Sequence, residues 1–396
     1  MPKNRPKNRP IQALLLSTIA MAASFVIWNL FSPLAITFKE LYRLNGFQAS
    51  LLVAAPVLLG SVMRIPMGIY ADRYGGRRVF SATMLFLIVP LLAASFASSY
   101  SVLLLCALFI GMGGSTFAIS LTYVSRWFPP RKQGLVLGLA GLGNLGSAAA
   151  SYGVPVLHAQ MGLSATFRML AIMIGAAAIG FWLLGKDLPN PASVKNFKQS
   201  MAVLRKKSTW LLSLFYFLTF GGFVAFSVYL PTLLKEQFAL SATEAGFRTA
   251  VFVLLATLIR PLGGLWADRI GSRRVLAVVF SGFAIAAFLM TLSLERLSLF
   301  TTGCLIGAMF LGIGNGAVFK MVPEVSPQDT GAVTGIVGAA GGLGGFFPPM
   351  LLGFIHDASG SYVNGFVLLS VFTAVCFGFN AWTIRPAIEK GATRAA

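Results

Sequence analysis

Apolar runs long enough to cross a bilayer alternate along the whole chain with short segments rich in charge, glycine and proline. A hydrocarbon core about 30 Å thick needs about 20 helical residues per crossing. On that measure the runs predict twelve transmembrane helices, over residues 11–38, 46–70, 79–98, 101–124, 134–157, 164–185, 209–234, 242–266, 275–294, 299–320, 331–355 and 362–384. Lipid leaves no partner for a backbone polar group outside its own segment, so the expected class is an all-α membrane protein. The longest polar stretch, 186–208, falls midway. It reads as a cytoplasmic linker between an N-terminal six-helix half over 11–185 and a C-terminal half over 209–384, with tails over 1–10 and 385–396.

Composition supports the membrane reading. The 396 residues are 57% hydrophobic and 11% charged, whereas a soluble chain carries about 25% charge. The net charge of +20 would suggest nucleic acid in a soluble domain. Here the cations lie between apolar runs, so the expected surroundings are lipid and no nucleic-acid partner is expected. With cations at span edges assigned to the nearer side, 23 Lys and Arg fall on the side of the termini, 6 on the other and 2 within spans. Positive charge is retained inside during insertion, which places both termini in the cytoplasm of a multi-pass cell (inner) membrane protein. The first run is too long for a signal-peptide core and lacks a small-residue cleavage site, so it reads as an uncleaved span. Cys106, Cys304 and Cys376 all sit in apolar runs, which suggests neither disulfides nor a metal site, and no cofactor is expected.

An internal repeat divides the chain at the same place. Gly68-Ile-Tyr-Ala-Asp72-Arg73-Tyr-Gly75-Gly-Arg77-Arg78-Val79 recurs 196 residues later as Gly264-Leu-Trp-Ala-Asp268-Arg269-Ile-Gly271-Ser-Arg273-Arg274-Val275, with eight identities in twelve positions. Each copy follows the second span of its half, where glycine permits a tight turn and Asp can pair with Arg. Two repeated halves point to a rocking transporter with its site near the midplane between them. The motif G-x-x-x-D-R-x-G-x-R-R resembles the loop signature of the major facilitator superfamily. The resemblance implies the major facilitator fold, two pseudo-symmetric six-helix halves, and gating roles for Asp72, Arg73, Arg77, Asp268, Arg269 and Arg273.

Two charges lie where charge is expensive. Arg64 and Arg260, one repeat apart, each precede the loop Asp by eight residues, which is about 12 Å inward from the turn at 1.5 Å per residue. Placing a guanidinium there costs about 2.5–3.5 kcal/mol on insertion scales. No Asp or Glu lies away from a span edge to pair with either, and 12 Å is long for a side chain to reach the interface. Two facing cations would repel unless an anion or a water-filled cavity lies between them, and a substrate-anion site is the preferred expectation over a structural role. Arginine suits that task because its planar fork matches planar oxyanions and it keeps its charge when desolvated.

Glycines crowd spans five (Gly134, Gly138, Gly141, Gly143, Gly146) and eleven (Gly331 to Gly345). Most read as small-residue packing, but Gly143 and Gly341 also let backbone approach a small ligand, and Asn144 adds an amide at that depth. Gly141-Leu-Gly143-Asn144-Leu-Gly146 formally fits a dinucleotide fingerprint, yet it follows no strand and has no acidic residue about 20 positions on. Phe117 and Phe319 match across the halves with one inserted residue, and span seven carries Tyr216-Phe-Leu-Thr-Phe220-Gly-Gly-Phe223. These aromatics read either as core or as walls that sandwich a flat anion.

Four pieces together resemble the nitrate/nitrite porter family of the major facilitator superfamily: Met-Arg64-Ile-Pro, Ile-Arg260-Pro-Leu-Gly-Gly, Gly-Leu-Gly-Asn144-Leu-Gly and Gly341-Gly-Leu-Gly-Gly-Phe-Phe-Pro-Pro349. The resemblance implies secondary active transport of nitrate or nitrite. Arg64 and Arg260 would clamp the anion, Asn144 and Tyr216 would contact it, and Phe117 and Phe220 would close over it. Span eleven has Gly341 and Gly342 where an amide counterpart of Asn144 would stand, so the halves are not chemically equivalent.

The family contains both nitrate/nitrite exchangers and nitrate/proton symporters. With no intramembrane carboxylate to carry a proton, exchange is the preferred expectation. His158 and His356, near the outer ends of spans five and eleven, read as interfacial, with titration as the alternative. A facilitator-type exporter of other small or organic anions remains open. A passive channel does too. A membrane enzyme or sensor would need a nucleophile and base, or a signalling domain, and neither is visible. A monomer suffices for alternating access.

Overall fold

The computed structural model describes residues 9–129, 133–188, 202–325 and 330–395. The tail over 1–8 and the linker over 189–201 lie outside the described residues, as do the side chains beyond 382. The described residues form helices and no strand, and eleven helices are long and apolar enough to cross a membrane.

The twelfth expected span, the fifth, is present but broken. It runs as Gln133–Ala140, a 3-10 turn over Gly141–Asn144, and Leu145–Met161. Glycine is a poor helix former, so this segment tightens locally where neighbouring helices hold it. The first run also divides. Its helix, Arg9–Trp28, ends ten residues before the expected boundary at 38, and a short helix, Ala35–Leu41, follows. The break has a polar cause: Asn29 Nδ2 donates to the Ser147 carbonyl and to Ser151 Oγ of span five, both at 3.3 Å, and Pro33 has no N–H to continue a helix. Span four pivots at Gly111 between Tyr100–Ile110 and Met112–Ser125. Span eleven divides into Thr330–Leu343 and Phe347–Ser359.

The repeated loops do turn on their glycines. Gly75 (φ 92°) ends Gly46–Tyr74 and Gly271 (φ 88°) ends Ala242–Ile270, a left-handed conformation that a side chain disfavours. Cβ-less surfaces also set helix spacing. A side chain at Gly60 would meet the Gly111 carbonyl at 2.6 Å, joining spans two and four. Between the halves, span eight packs on span five and span eleven on span two, with Gly246 against the Ser151 carbonyl and Gly342 against Ser61. Large apolar side chains such as Val278, Ile285 and Leu292, spaced seven apart on Ser272–Leu292, face outward, where lipid would cover them.

At the end opposite the Gly75 and Gly271 loops the halves are tied by polar contacts. Ser32 Oγ donates to the Ser227 and Val228 carbonyls at 3.2 and 2.5 Å, and Lys39 Nζ pairs with Glu236 at 2.8 Å.

Candidate functional site

Arg64 rises from Gly46–Tyr74 and Arg260 from Ala242–Ile270, and both are buried, at 1% and 4% exposure. Arg64 Nε donates to the Gly114 carbonyl at 3.3 Å and Nη1 to the Gly338 carbonyl at 2.8 Å, while Nη2 has no partner. Arg260 Nη2 donates weakly to the Tyr216 hydroxyl at 3.4 Å, and its Nη1 is unpartnered. The two guanidinium groups share one wall. Their central carbons lie 4.9 and 5.8 Å from the Phe117 ring centre.

Aromatic rings complete the enclosure. Arg64 also lies 4.9 Å from the Phe220 ring and Arg260 5.2 Å from Phe319. Tyr216 stacks on Phe220 at 4.9 Å and 8°, and meets Phe319 edge-on at 4.9 Å. Ring faces offer partial negative charge to the guanidinium groups, and the rings keep water out. Helical spacing brings the pair together, since Tyr216 and Phe220 are four apart on Lys207–Phe238.

Of the residues expected at the site, Arg64, Arg260, Tyr216, Phe117 and Phe220 converge. Phe319, expected only as a partner of Phe117, stands with them. Asn144 is buried on its 3-10 turn with Oδ1 unpaired. Its neighbour Gly141 faces Arg260, Nη1 lying 3.3 Å from where a Cβ would be. Gly143 instead faces the first span, where a Cβ would come 2.6 Å from Met21 Cγ. Gly341 borders the site because its missing Cβ makes room for the Tyr216 ring. Sequence reasoning missed Gly114 and Gly338, whose contribution is a backbone carbonyl.

The two loop carboxylates differ in their surroundings. Asp268 pairs with Lys320 at 2.5 Å. Arg77 holds the end of span six, with its backbone N–H donating to Asp187 Oδ1 at 2.9 Å, Nε to the Trp182 carbonyl at 2.8 Å, and its guanidinium over the Trp182 ring. Asp72 has Arg126 within electrostatic reach. Arg73 covers the Tyr74 ring, the Arg273 carbonyl accepts from Asn380, and Arg269 is exposed. His158 has an unpartnered Nδ1, and His356 stacks on Tyr362 at 4.2 Å. The three cysteines are free and buried. No cluster among the described residues has the donors to hold a metal ion.

Comparison with known proteins agrees with this architecture. The family model described as "Major Facilitator Superfamily" matches residues 16–240 and 212–395. The "Nitrite extrusion protein" of Bacillus subtilis (strain 168) is 38% identical over 375 residues, covering 95% of both chains. The "Probable nitrate transporter NarT" of Staphylococcus epidermidis is 35% identical over 365 residues, 92% of this chain and 94% of that one. Among solved structures, a bacterial homologue of the human lysosomal transporter Spinster superposes with a TM-score of 0.74 at 18% identity, covering 96% of this chain and 98% of that one, a likeness of fold alone. Twelve spans in two repeated halves, a matching family model and full-length relatives lead to one conclusion: the chain belongs to the Major Facilitator Superfamily, as a membrane transporter and not an enzyme.

Proposed function

We propose that this protein carries nitrate and nitrite across the cell membrane by alternating access, exchanging one anion for another at a site between Arg64 and Arg260. The observation that carries this reading is the pair of buried guanidinium groups, one from each half, placed over the same Phe117 ring and each left with an unpartnered nitrogen. A small planar oxyanion would satisfy both donors at once. Asn144 and Tyr216 add polar contacts, and Phe117 and Phe220 supply flat walls; Gly341 keeps the Tyr216 ring in place and Gly143 keeps span five close to span one. Relatives named for nitrite extrusion and nitrate transport support the anion class.

Exchange is favoured over proton symport because no carboxylate stands beside the arginines among the described residues. Empty, the two cations repel; loaded, they are drawn to one charge, so reorientation is easier with anion bound. The charge bias of the loops supports a cytoplasmic location for the Gly75 and Gly271 turns and for both termini. The Asp72, Arg73 and Arg77 loop and its copy at Asp268, Arg269 and Arg273 would then govern the inner gate. One copy contains the whole arginine site, so a monomer is sufficient.

Labelled nitrate flux into proteoliposomes, with nitrite or nitrate trapped inside, tests the proposal. Uptake that needs an internal anion and ignores a pH gradient is expected. Uptake into empty vesicles driven by an inward proton gradient would replace exchange with symport.

A further inference from the structure

Two arginines do not use up a nitrate ion. Nitrate presents three equivalent oxygens in one plane and nitrite presents two, whereas the unpartnered Arg64 Nη2 and Arg260 Nη1 supply one free donor from each half. A third oxygen enclosed among aromatic rings needs a third donor, because a buried polar atom without a partner loses the hydrogen bonds that water gave it. The groups to consider are hydroxyls held near the guanidinium groups and not used by the protein itself.

Span eight carries one. Thr257 precedes Arg260 by three residues, on the same face of Ala242–Ile270, and is 2% exposed. Its Oγ1 has no hydrogen-bond partner. Other hydroxyls on these helices close on the carbonyl four residues back. Thr249 of the same helix does so to Ala245 at 2.8 Å. Ser61, which stands 196 residues before Thr257 and three before Arg64, does so to Val57 at 2.6 Å. Each arginine therefore has a hydroxyl one turn before it, and of the two the Thr257 hydroxyl is the one left without a bond.

Two contacts set that hydroxyl beside the charge. Spans five and eight pack together, with Gly246 against the Ser151 carbonyl. Ten residues further along span eight is Ala256, and ten residues back along span five is Gly141, so the antiparallel pair holds Gly141 nearly level with Ala256 and Thr257. Gly141 is nonetheless the residue that Arg260 reaches, its Nη1 lying 3.3 Å from the position of an added Cβ. The guanidinium therefore leans back toward the start of its helix, as long helical side chains do, over the turn that contains Thr257.

We propose that Thr257 contacts the substrate, its hydroxyl donating to the third oxygen of bound nitrate and biasing the site toward nitrate over nitrite, on the reading of the arginine pair as the anion site. Nitrite, with its two oxygens on the two guanidinium groups, leaves the hydroxyl idle. Asn144, which eclipses Gly141 three residues on in the 3-10 turn, has an unpartnered Oδ1. A hydroxyl spent on that oxygen would orient the amide and serve nitrate and nitrite alike, so the two roles differ in what is lost with the hydroxyl.

Equilibrium binding to the purified full-length protein separates them. Nitrate and nitrite are titrated by calorimetry in detergent at fixed ionic strength, and the ratio of their dissociation constants is read for the parent and each variant. Thr257→Val removes the hydroxyl and keeps the branched shape. Nitrate binding is expected to weaken about tenfold, the loss of one hydrogen bond to a charged group, while nitrite binding changes by less than about twofold. Thr257→Ser keeps a hydroxyl and is expected to keep the parent ratio. Thr249→Val, which deletes a hydroxyl already closed on its own helix, is expected to leave the ratio unchanged. If Thr257→Val folds poorly, the contrast between Thr257→Ala and Thr257→Ser reads the same ratio. An unchanged ratio once the Thr257 hydroxyl is gone, whether both anions weaken together or neither does, would overturn the proposal and leave the arginine site standing. A parent protein that binds neither anion would overturn the arginine reading and this proposal with it.

Discussion

Arg64 crosses from the first half to the second, donating from Nη1 to the carbonyl of Gly338 at 2.8 Å. With Nε on Gly114 at 3.3 Å, the guanidinium spends two donors on backbone and keeps Nη2 free. A lysine ammonium has no planar fork to hold both carbonyls and still face an anion. Arg64→Lys is therefore expected to lower nitrate uptake at least about tenfold although the charge is kept. Near-normal uptake by a folded Arg64→Lys protein would refute the fork argument.

Arg260 has a looser tether, a 3.4 Å contact to the Tyr216 hydroxyl. Tyr216→Phe removes that hydroxyl and preserves the stack on Phe220. Apparent affinity for nitrate is expected to weaken about three- to tenfold with little change in thermal stability, consistent with a single modest hydrogen bond. A large fall in stability with unchanged affinity would mark the hydroxyl as structural.

Gly341 lies against the Tyr216 ring, with Cε1 2.7 Å from the position of an added Cβ. Gly341→Ala should push the ring from its place, costing about 1–3 kcal/mol of stability as overpacking and reducing transport. Thermal unfolding in detergent and uptake in vesicles measure the two effects. Gly138, which would meet nothing within 4 Å, is the control: Gly138→Ala is expected to be tolerated.

Asp268 and Lys320 pair at the membrane edge with side-chain exposures of 52% and 36%. Solvent screening limits such a pair to less than about 1 kcal/mol. Asp268→Asn should leave melting nearly unchanged and alter transport rate if the second loop copy gates the inner end. Loss of rate without loss of stability, measured on the same preparation, separates gating from folding.

Much of this was readable before any coordinates. Charge inside apolar runs picked out Arg64 and Arg260, and the repeat placed them at one depth. Aromatic spacing brought Tyr216 and Phe220 to one face. What escaped the sequence depended on helix-to-helix placement. Gly114 and Gly338 act through carbonyls that leave no side-chain signature. Asp268 finds Lys320 because spans eight and ten pack together, whereas the repeat suggested a local arginine. Gly143 looked like a site residue by position, but it lets span one come close. The early end of the first span follows from Asn29 reaching span five, a contact no run of hydropathy encodes.

The 3-10 turn at Gly141–Asn144 gives the fifth span two pitches. A 3-10 helix advances about 120° per residue against about 100° in an α-helix, so four residues add about 80° of rotation. The stripe of side chains below the turn is therefore offset from the stripe above it. An ion moving along this helix would leave one wall and meet another at the depth of Asn144. A single residue inserted or deleted in the turn would misalign every contact beyond it.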